Sequence, residues 1–489
     1  MKKLKTLVAA LMAATMVLTI TGCSEEDPNA TGSGGPTAGS VEMDDEAVNE
    51  AARALKDKVT YPDLKVDTRL KWMAWWPMDE TGGAAVLFKE VYGVPTKGSN
   101  KADEGRIFEY QSVGYDERYD KLGAAISADE SPDLFPFENR DFPYGVLMNR
   151  YQPVDDIIDF SDEKWSKFND LNKQYMLNGK HYVAFFDYSI SDFMWYKKSN
   201  IEAIGADDPY ELFMKGKWDW DSFLEIARKW QQSGTSDDPR YATDGYMVEL
   251  GLVMSTGVPL IGTDGTKLIS NLRTSEVERA ITGIVATLEK EDLRYPRHEL
   301  NSYSTNYSAW ANNTNLFFCE GSYRYEETLQ VLRQKYKWPE DEIKFVPYPK
   351  DPKADKHYVE LKVYNEMWVK GSKNKEGVQA WMDCKVVAAA DKTLHEASNN
   401  KMINNPAQNY TKEILDFLDL LYGYNGESPV TPIVDFSQGL GPSVSADESD
   451  APLRALTNKV YLIGESYVQL REENEGTILK AIEDVNSKI

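Results

Sequence analysis

Two adjacent tryptophans, Trp75 and Trp76, close a strand-like run and are followed by Met78 and Asp79. Flat aromatic faces beside a carboxylate can stack on a ligand and accept its hydrogen bonds, which is binding chemistry. Groups able to break bonds are harder to find. The four histidines (His181, His298, His357 and His395) lack metal-ligand spacing, and His395-Glu396 has no second histidine four residues after the first. There is no Gly-x-Ser-x-Gly elbow and no Walker A loop, and Gly439-Leu440-Gly441 continues into Pro442-Ser443-Val444 rather than completing a dinucleotide fingerprint. A glycosidase needs two carboxylates across a cleft, but with 79 acidic residues some pair is always available, so abundance argues nothing. The expectation is a protein without catalytic residues, cofactor or bound metal.

The elements that must position these residues follow from periodicity. Arg69 to Trp76 reads as a strand stopped by Pro77. Helical spacing follows around 84–92, a strand near 107–111, a helix near 115–128 and a short strand at Pro132-Asp133-Leu134-Phe135. This alternation predicts an α/β architecture with a largely parallel sheet. Ligand-contacting loops then belong at the carboxyl ends of the strands, where Trp75, Trp76 and Tyr115 fall. Adjacent strand residues face opposite ways, so one tryptophan of the pair is expected to pack inward. Further along, His181 to Phe186 and Phe193 to Tyr196 read as strands, Trp220 to Gln231, Ser275 to Lys290 and Tyr467 to Val485 as helices, and Ile343 to Val346 as a strand.

The 489 residues exceed one ordinary domain, and hydrophobic residues at 42% describe a normal globular interior. Aromatic residues are plentiful, with 28 Tyr and 12 Trp available for binding surfaces. A formal net charge of −24 argues against nucleic acid, whose binding depends on Lys and Arg. Cys319 and Cys384 are expected to be free buried thiols rather than a bridge.

The N-terminus carries Lys2, Lys3 and Lys5, an apolar run from Leu7 to Ile20, then Thr21-Gly22-Cys23. This resembles a lipoprotein signal peptide (1–22), with Cys23 the lipid-bearing first residue of the mature chain. An ordinary N-terminal anchor is the alternative reading of the same run. Residues 23–60 read as a Gly/Ser/Pro/acid tether and a lead-in helix.

Several patterns then occur in one order: Tyr119-Asp120-Lys121-Leu122, Ser131-Pro132-Asp133-Leu134, Gln152-Pro153-Val154-Asp155-Asp156, Trp195-Tyr196-Lys197-Lys198, Trp218-Asp219-Trp220-Asp221-Ser222-Phe223, Phe317-Phe318-Cys319-Glu320-Gly321-Ser322-Tyr323 and Phe345-Val346-Pro347-Tyr348-Pro349-Lys350. Together they resemble the extracellular solute-binding lipoproteins of bacterial ABC importers, in the carbohydrate group related to maltose-binding protein. The departures are Lys197-Lys198 for the usual Asn-Lys, Tyr323 where tryptophan is frequent, and a longer stretch from about 391 to 442. The resemblance implies a periplasmic-binding-protein-like α/β fold of two discontinuous lobes joined by a hinge. Residues 65–186 plus 347–391 would form the first lobe, and 187–346 plus 392–489 the second. It implies a monomer that closes over a carbohydrate, most simply an oligosaccharide, and delivers it to permease subunits from the outer face of the membrane.

Sugars present hydroxyls around an apolar ring face, so their sites combine aromatic platforms with convergent carboxylates, amides and guanidinium groups. On that basis the resemblance adds Glu138, Asn139, Arg140 and Asp141 in the loop after the Pro132-Asp133 strand. Asp187 and Tyr188 lie near the first hinge, and Tyr323 and Arg324 after Gly321-Ser322. Glu366 and Trp368 lie in the returning segment. A structural role for Trp368 is equally open. An extracellular glycoside hydrolase and a polysaccharide-holding adhesin remain the rival readings.

Overall fold

The computed structural model describes residues 46–245, 247–296, 307–405, 409–445 and 450–488, and of Tyr323 the backbone alone. Cys23 and the stretch 1–45 lie outside the described residues. Helix α1 (Glu46–Arg53) leads into β1 (Leu70–Ala74), α2 (Gly83–Tyr92), β2 (Phe108–Ser112), α3 (Arg118–Ser127) and β3 (Leu134–Pro136). β1 lies between β2 and β3 and runs parallel to both, with Trp72 opposite Tyr110 and Leu134. The fourth strand of this sheet comes from far downstream. Glu366–Trp368 (named β10 below) pairs antiparallel with β3, setting Trp368 opposite Leu134.

β4 (Ser189–Ile190) and β5 (Asp192–Lys197) follow, then α4 (Trp220–Gln232), β6 (Tyr241–Gly245), β7 (Asn315–Gly321), β8 (Ile343–Val346), β9 (Tyr358–Lys362) and β10. The second sheet has the order β8-β5-β7-β6. β7 is antiparallel to β5 and parallel to β6, so both chain directions meet there. Gly245 ends β6 at φ 118°, and a Cβ there would stand 2.0 Å from the Cys319 carbonyl oxygen, so only glycine fits. After α5 (Lys375–Ala389), α6 (Lys392–Asn404) and α7 (Lys412–Leu421), strand β11 (Thr431–Ile433) pairs with β9. β9 also pairs with β4, so three separate crossings of the chain make a small sheet of order β11-β9-β4. The chain ends in α8 (Tyr467–Asn486).

One core lies where α1, α2, α5 and α6 cover the first sheet, around Trp72, Leu87, Phe108, Trp368 and Trp381. A second, larger core surrounds the second sheet and reaches the other face of the first through Met73, Phe135 and Met367. Cys384 is a buried free thiol in the first core and Cys319 in the second. α6, which the sequence reading gives to the second lobe, sets Leu394 in the first core, tight against Gly83, and Lys58 pairs with Asp391 just ahead of it at 3.0 Å.

α4 forms because Trp220, Phe223, Ile226, Ala227 and Trp230 make one apolar stripe, all buried. Asp219 caps it by accepting from the Ser222 amide, while the Ser222 hydroxyl accepts from the Asp219 amide. Asp219→Ala is expected to lower stability by about 1 kcal/mol, read as a lower urea midpoint at unchanged slope.

One expected strand is absent. Beyond the two-residue strand Lys180–His181, residues 182–188 carry no strand. Val183, Ala184, Phe185 and Phe186 are nonetheless buried. The buried Asn172 side chain takes the place of a neighbouring strand. Its amide donates to the Phe185 carbonyl at 3.1 Å and its oxygen accepts from the Phe185 amide at 2.7 Å. Among the described residues no helix is long and apolar enough to cross a membrane, and no group of three His, Cys, Asp or Glu could hold a metal.

Candidate functional site

The loops leaving β1, β2 and β3 converge. Trp75 follows β1, and its ring centroid lies 4.5 Å from that of Trp76 and 5.1 Å from that of Tyr115, which follows β2. Both tryptophans are half-buried. Trp75 leans on the second core and Trp76 on the first, so the pair divides as alternation requires. From α3, Arg118 reaches under these rings and donates from Nε to Glu138 at 2.6 Å. Tyr119 also donates its hydroxyl to Glu138. Arg140 stands 3.9 Å from Glu138 and 5.7 Å from the Tyr115 ring centroid. Asn139 is half-buried in the same turn. The structure therefore gathers Trp75, Trp76, Tyr115, Glu138, Asn139 and Arg140 in one place.

Asp141 turns the other way. It is buried against Arg150 and accepts from the Tyr151 hydroxyl at 2.6 Å. Burial pushes its carboxyl up to about 6, although Arg150 and the Tyr151 hydrogen bond pull it down. Gly145 packs directly on this carboxylate, leaving no room for a ligand on that side. Asp141 is a brace of the loop rather than a contact residue. Asp79 is exposed and accepts from both the amide and the hydroxyl of Thr81 at 2.8 Å, an Asx turn leading into α2.

The crossing segments supply a second group. Asp187 is half-buried and accepts no hydrogen bond from a described residue; burial pushes its carboxyl up to about 6, with Lys385 and Lys167 opposing and Glu366 adding. Glu366, by contrast, is buried and bound by Lys385 at 2.7 Å, and Lys385 Nζ lies 4.6 Å from the Phe186 ring centroid. Trp368 is 5% exposed in the first core, so it is a packing residue and not a platform. Both fall on β10, whose strand pairing and helix cover leave neither side chain at a surface.

Tyr188 is half-buried, 6.4 Å from Phe168 and 6.2 Å from Tyr422 between ring centroids. The Ser189 and Ser322 hydroxyls lie 3.3 Å apart, and Ser322 lies 3.2 Å from the Tyr364 hydroxyl. The Tyr364 side chain is 45% exposed, yet surrounding protein holds its phenol well above the usual range. The Arg324 guanidinium pairs with Glu327 at 2.7 Å and with Glu320 at 3.4 Å. The Tyr323 side chain lies outside the described residues.

Sequence reasoning missed Ser189, Ser322, Tyr364 and Tyr422. Ser322 lay inside a motif already singled out, and Tyr364 stands in the returning segment two residues before Glu366, so position could have found both. Tyr422 lies in the long stretch from 391 to 442, where no pattern pointed to it.

The model of the bacterial extracellular solute-binding proteins matches residues 100–384 of the chain, more than half of it. Similar solved structures include the cyclic α-maltosyl-1,6-maltose binding protein from Arthrobacter globiformis, with TM-score 0.58, 12% identity, and coverage of 85% of this chain and 99% of that one. The galacto-N-biose-/lacto-N-biose I-binding protein of the ABC transporter from Bifidobacterium longum gives TM-score 0.58 and 12% identity, covering 86% and 99%. The sugar-binding protein MalE from Xanthomonas citri gives TM-score 0.56 and 15% identity, covering 85% and 98%. No curated protein matches the chain. At these identities the structures establish the fold, a periplasmic-binding-protein-like α/β arrangement of two lobes. With the sequence match over residues 100–384, the chain belongs to the family of bacterial extracellular solute-binding proteins.

Proposed function

We propose that this protein is the substrate-binding component of an ABC importer for a carbohydrate, working as a monomer without cofactor. The observation that carries the reading is the gathering of Trp75, Trp76 and Tyr115 with Arg140 at the carboxyl ends of parallel strands. Rings of that kind stack on a pyranose face, while guanidinium, carboxylate and hydroxyl groups take its hydroxyls. Asp187, Tyr188, Ser322 and Tyr364 add polar contacts from the crossing segments. The known binding of α-maltosyl and lacto-N-biose sugars by similarly folded proteins supports a carbohydrate ligand.

In this reading the first lobe holds 65–186 and 347–391, with α6 packed on it, and the second holds 187–346 and the rest of the C-terminal part. Closure selects a ligand that touches both lobes. Cys23 carries lipid and tethers the protein to the outer face of the membrane. Intact-mass analysis of membrane-extracted protein checks that anchor; a chain retaining Met1 overturns it, as does a Cys23→Ala variant that stays anchored.

Titration calorimetry against maltotriose, cellotetraose and lacto-N-biose tests the binding site. Trp75→Ala and Arg140→Ala are each expected to weaken the sugar that binds by about 2 kcal/mol or more, with the melting temperature kept. Unchanged affinity in both, or release of shorter sugars on incubation with the wild-type protein, overturns the proposal.

A further inference from the structure

Arg118 violates two ordinary preferences at once. It is 4% exposed, although arginine is rarely buried without a partner. It also stands in the first turn of α3, where the helix macrodipole is positive and disfavours a cation. What it holds explains its position. Its Nε donates to Glu138 at 2.6 Å, one terminal nitrogen donates to the Tyr115 carbonyl, and the other reaches the Tyr119 hydroxyl at 3.4 Å. Its guanidinium carbon lies 3.7 Å from the Tyr115 ring centroid, 4.3 Å from Tyr119 and 5.3 Å from Trp75. Trp75 follows β1, Tyr115 follows β2 and Glu138 follows β3, so one planar cation touches all three loops.

We infer that Arg118 is a positioning residue for ligand binding, fixing the Trp75 and Tyr115 rings before any ligand arrives. The inference rests on the carbohydrate reading for its functional meaning. A planar guanidinium can stack on rings and fork to a carboxylate together, which the compact ammonium of lysine cannot do. Arg118→Lys keeps the charge but loses the planar fork, and therefore should not rescue.

Fluorine NMR of the full chain labelled with fluorotryptophan reads the positioning without any sugar. The Trp75 line is identified by its loss in Trp75→Phe. In Arg118→Lys and Arg118→Met it is expected to shift or broaden, while the lines of the core residues Trp195 and Trp218 stay fixed. Glu138→Gln loosens the same guanidinium without emptying its cavity and should move the same line, which covers an Arg118 variant that fails to fold. A Trp75 line at its wild-type position in every folded variant overturns the inference. With maltotriose as probe, both Arg118 variants should bind about tenfold more weakly, in keeping with lost cation–π and charge-assisted contacts. Equal maltotriose affinity in wild type and variants also overturns it. The sugar-free spectra judge Arg118 separately from the carbohydrate reading, which stands or falls on sugar binding by the wild-type protein and its Trp75→Ala and Arg140→Ala variants.

Discussion

Lowering the pH from about 7.5 to about 5 is expected to stabilise the folded protein and raise its melting temperature, because several buried carboxyl groups favour their neutral form. Burial raises Asp192 and Asp435 to about 6 and Glu320 to about 7. Asp141 is raised to about 6 in the same way. Their unfolded counterparts titrate at ordinary values near 4. Between those values the folded chain binds more protons, so the stabilisation is complete below about 4 and is lost as the pH rises through 6 to 7. One pKa unit corresponds to about 1.4 kcal/mol, so between pH 7.5 and 5 Asp192 alone contributes on the order of 1 kcal/mol. Asp192 is the informative position, being 3% exposed with one carboxylate oxygen that has no hydrogen-bond partner among the described residues. Asp192→Asn should melt higher than wild type near neutral pH and show a shallower pH dependence. Buried His357, held down to about 4, opposes the trend because only its unfolded form takes up a proton above pH 5, but it is one group against four carboxyls. A melting temperature that stays flat or falls on acidification would contradict this account, since the net negative surface charge acts in the same direction as the carboxyls.

Asp351→Ala should be the most damaging single change at a charged residue, costing about 3–5 kcal/mol. Asp351 is fully buried and pairs with Arg279, whose guanidinium carbon lies 5.6 Å from the Trp220 ring centroid. It also accepts from the Lys353 amide at 2.9 Å, fixing the turn after β8. Truncating the acid strips a largely buried cation over an aromatic ring of its hydrogen-bonded partner, leaving it the weaker attraction of Glu276, and frees a backbone donor. Urea denaturation checks the loss. The double variant Arg279→Met, Asp351→Leu is expected to recover much of it, since replacing both partners by apolar groups removes the desolvation cost with the pair. A single-variant cost below about 1 kcal/mol would show that Arg279 finds another acid.

The alternation that predicted β1, α2, β2, α3 and β3 was legible because each element is short and its neighbours in sequence are its neighbours in space. The stripe of α4 was legible for the same local reason. What failed was decided by distant partners. The run 182–186 has strand composition, but the Asn172 side chain occupies the backbone hydrogen-bonding groups of Phe185, and no periodicity reveals an amide 13 residues away. Glu366 and Trp368 looked like ligand groups because they end a strand-like run, whereas β3 on one side and Lys385 on α5 enclose them. Arg324 was a candidate from its place after Gly321-Ser322, and its pairing with Glu320 and Glu327 was not legible there. That Trp75, Trp76 and Tyr115 come together was legible from their places after strands. Arg118 was not, because nothing in its local sequence announces a buried cation touching three loops.

The downstream origin of β10 sets a timetable for synthesis. Ser372, just past β10, donates its hydroxyl to Asp133 at the start of the β3 segment, across 239 positions of sequence. β1, β2 and β3 therefore leave the ribosome with one edge of their sheet open and with α5, which covers it, still unmade. At about 5–20 residues per second the wait is on the order of 10–50 s. During that interval the early segment exposes apolar surface and an unpaired strand edge, and it cannot reach its final state however fast its local helices form. A chain built this way stays unfolded long enough to be threaded or escorted, and it commits to its structure only once most of its length is available.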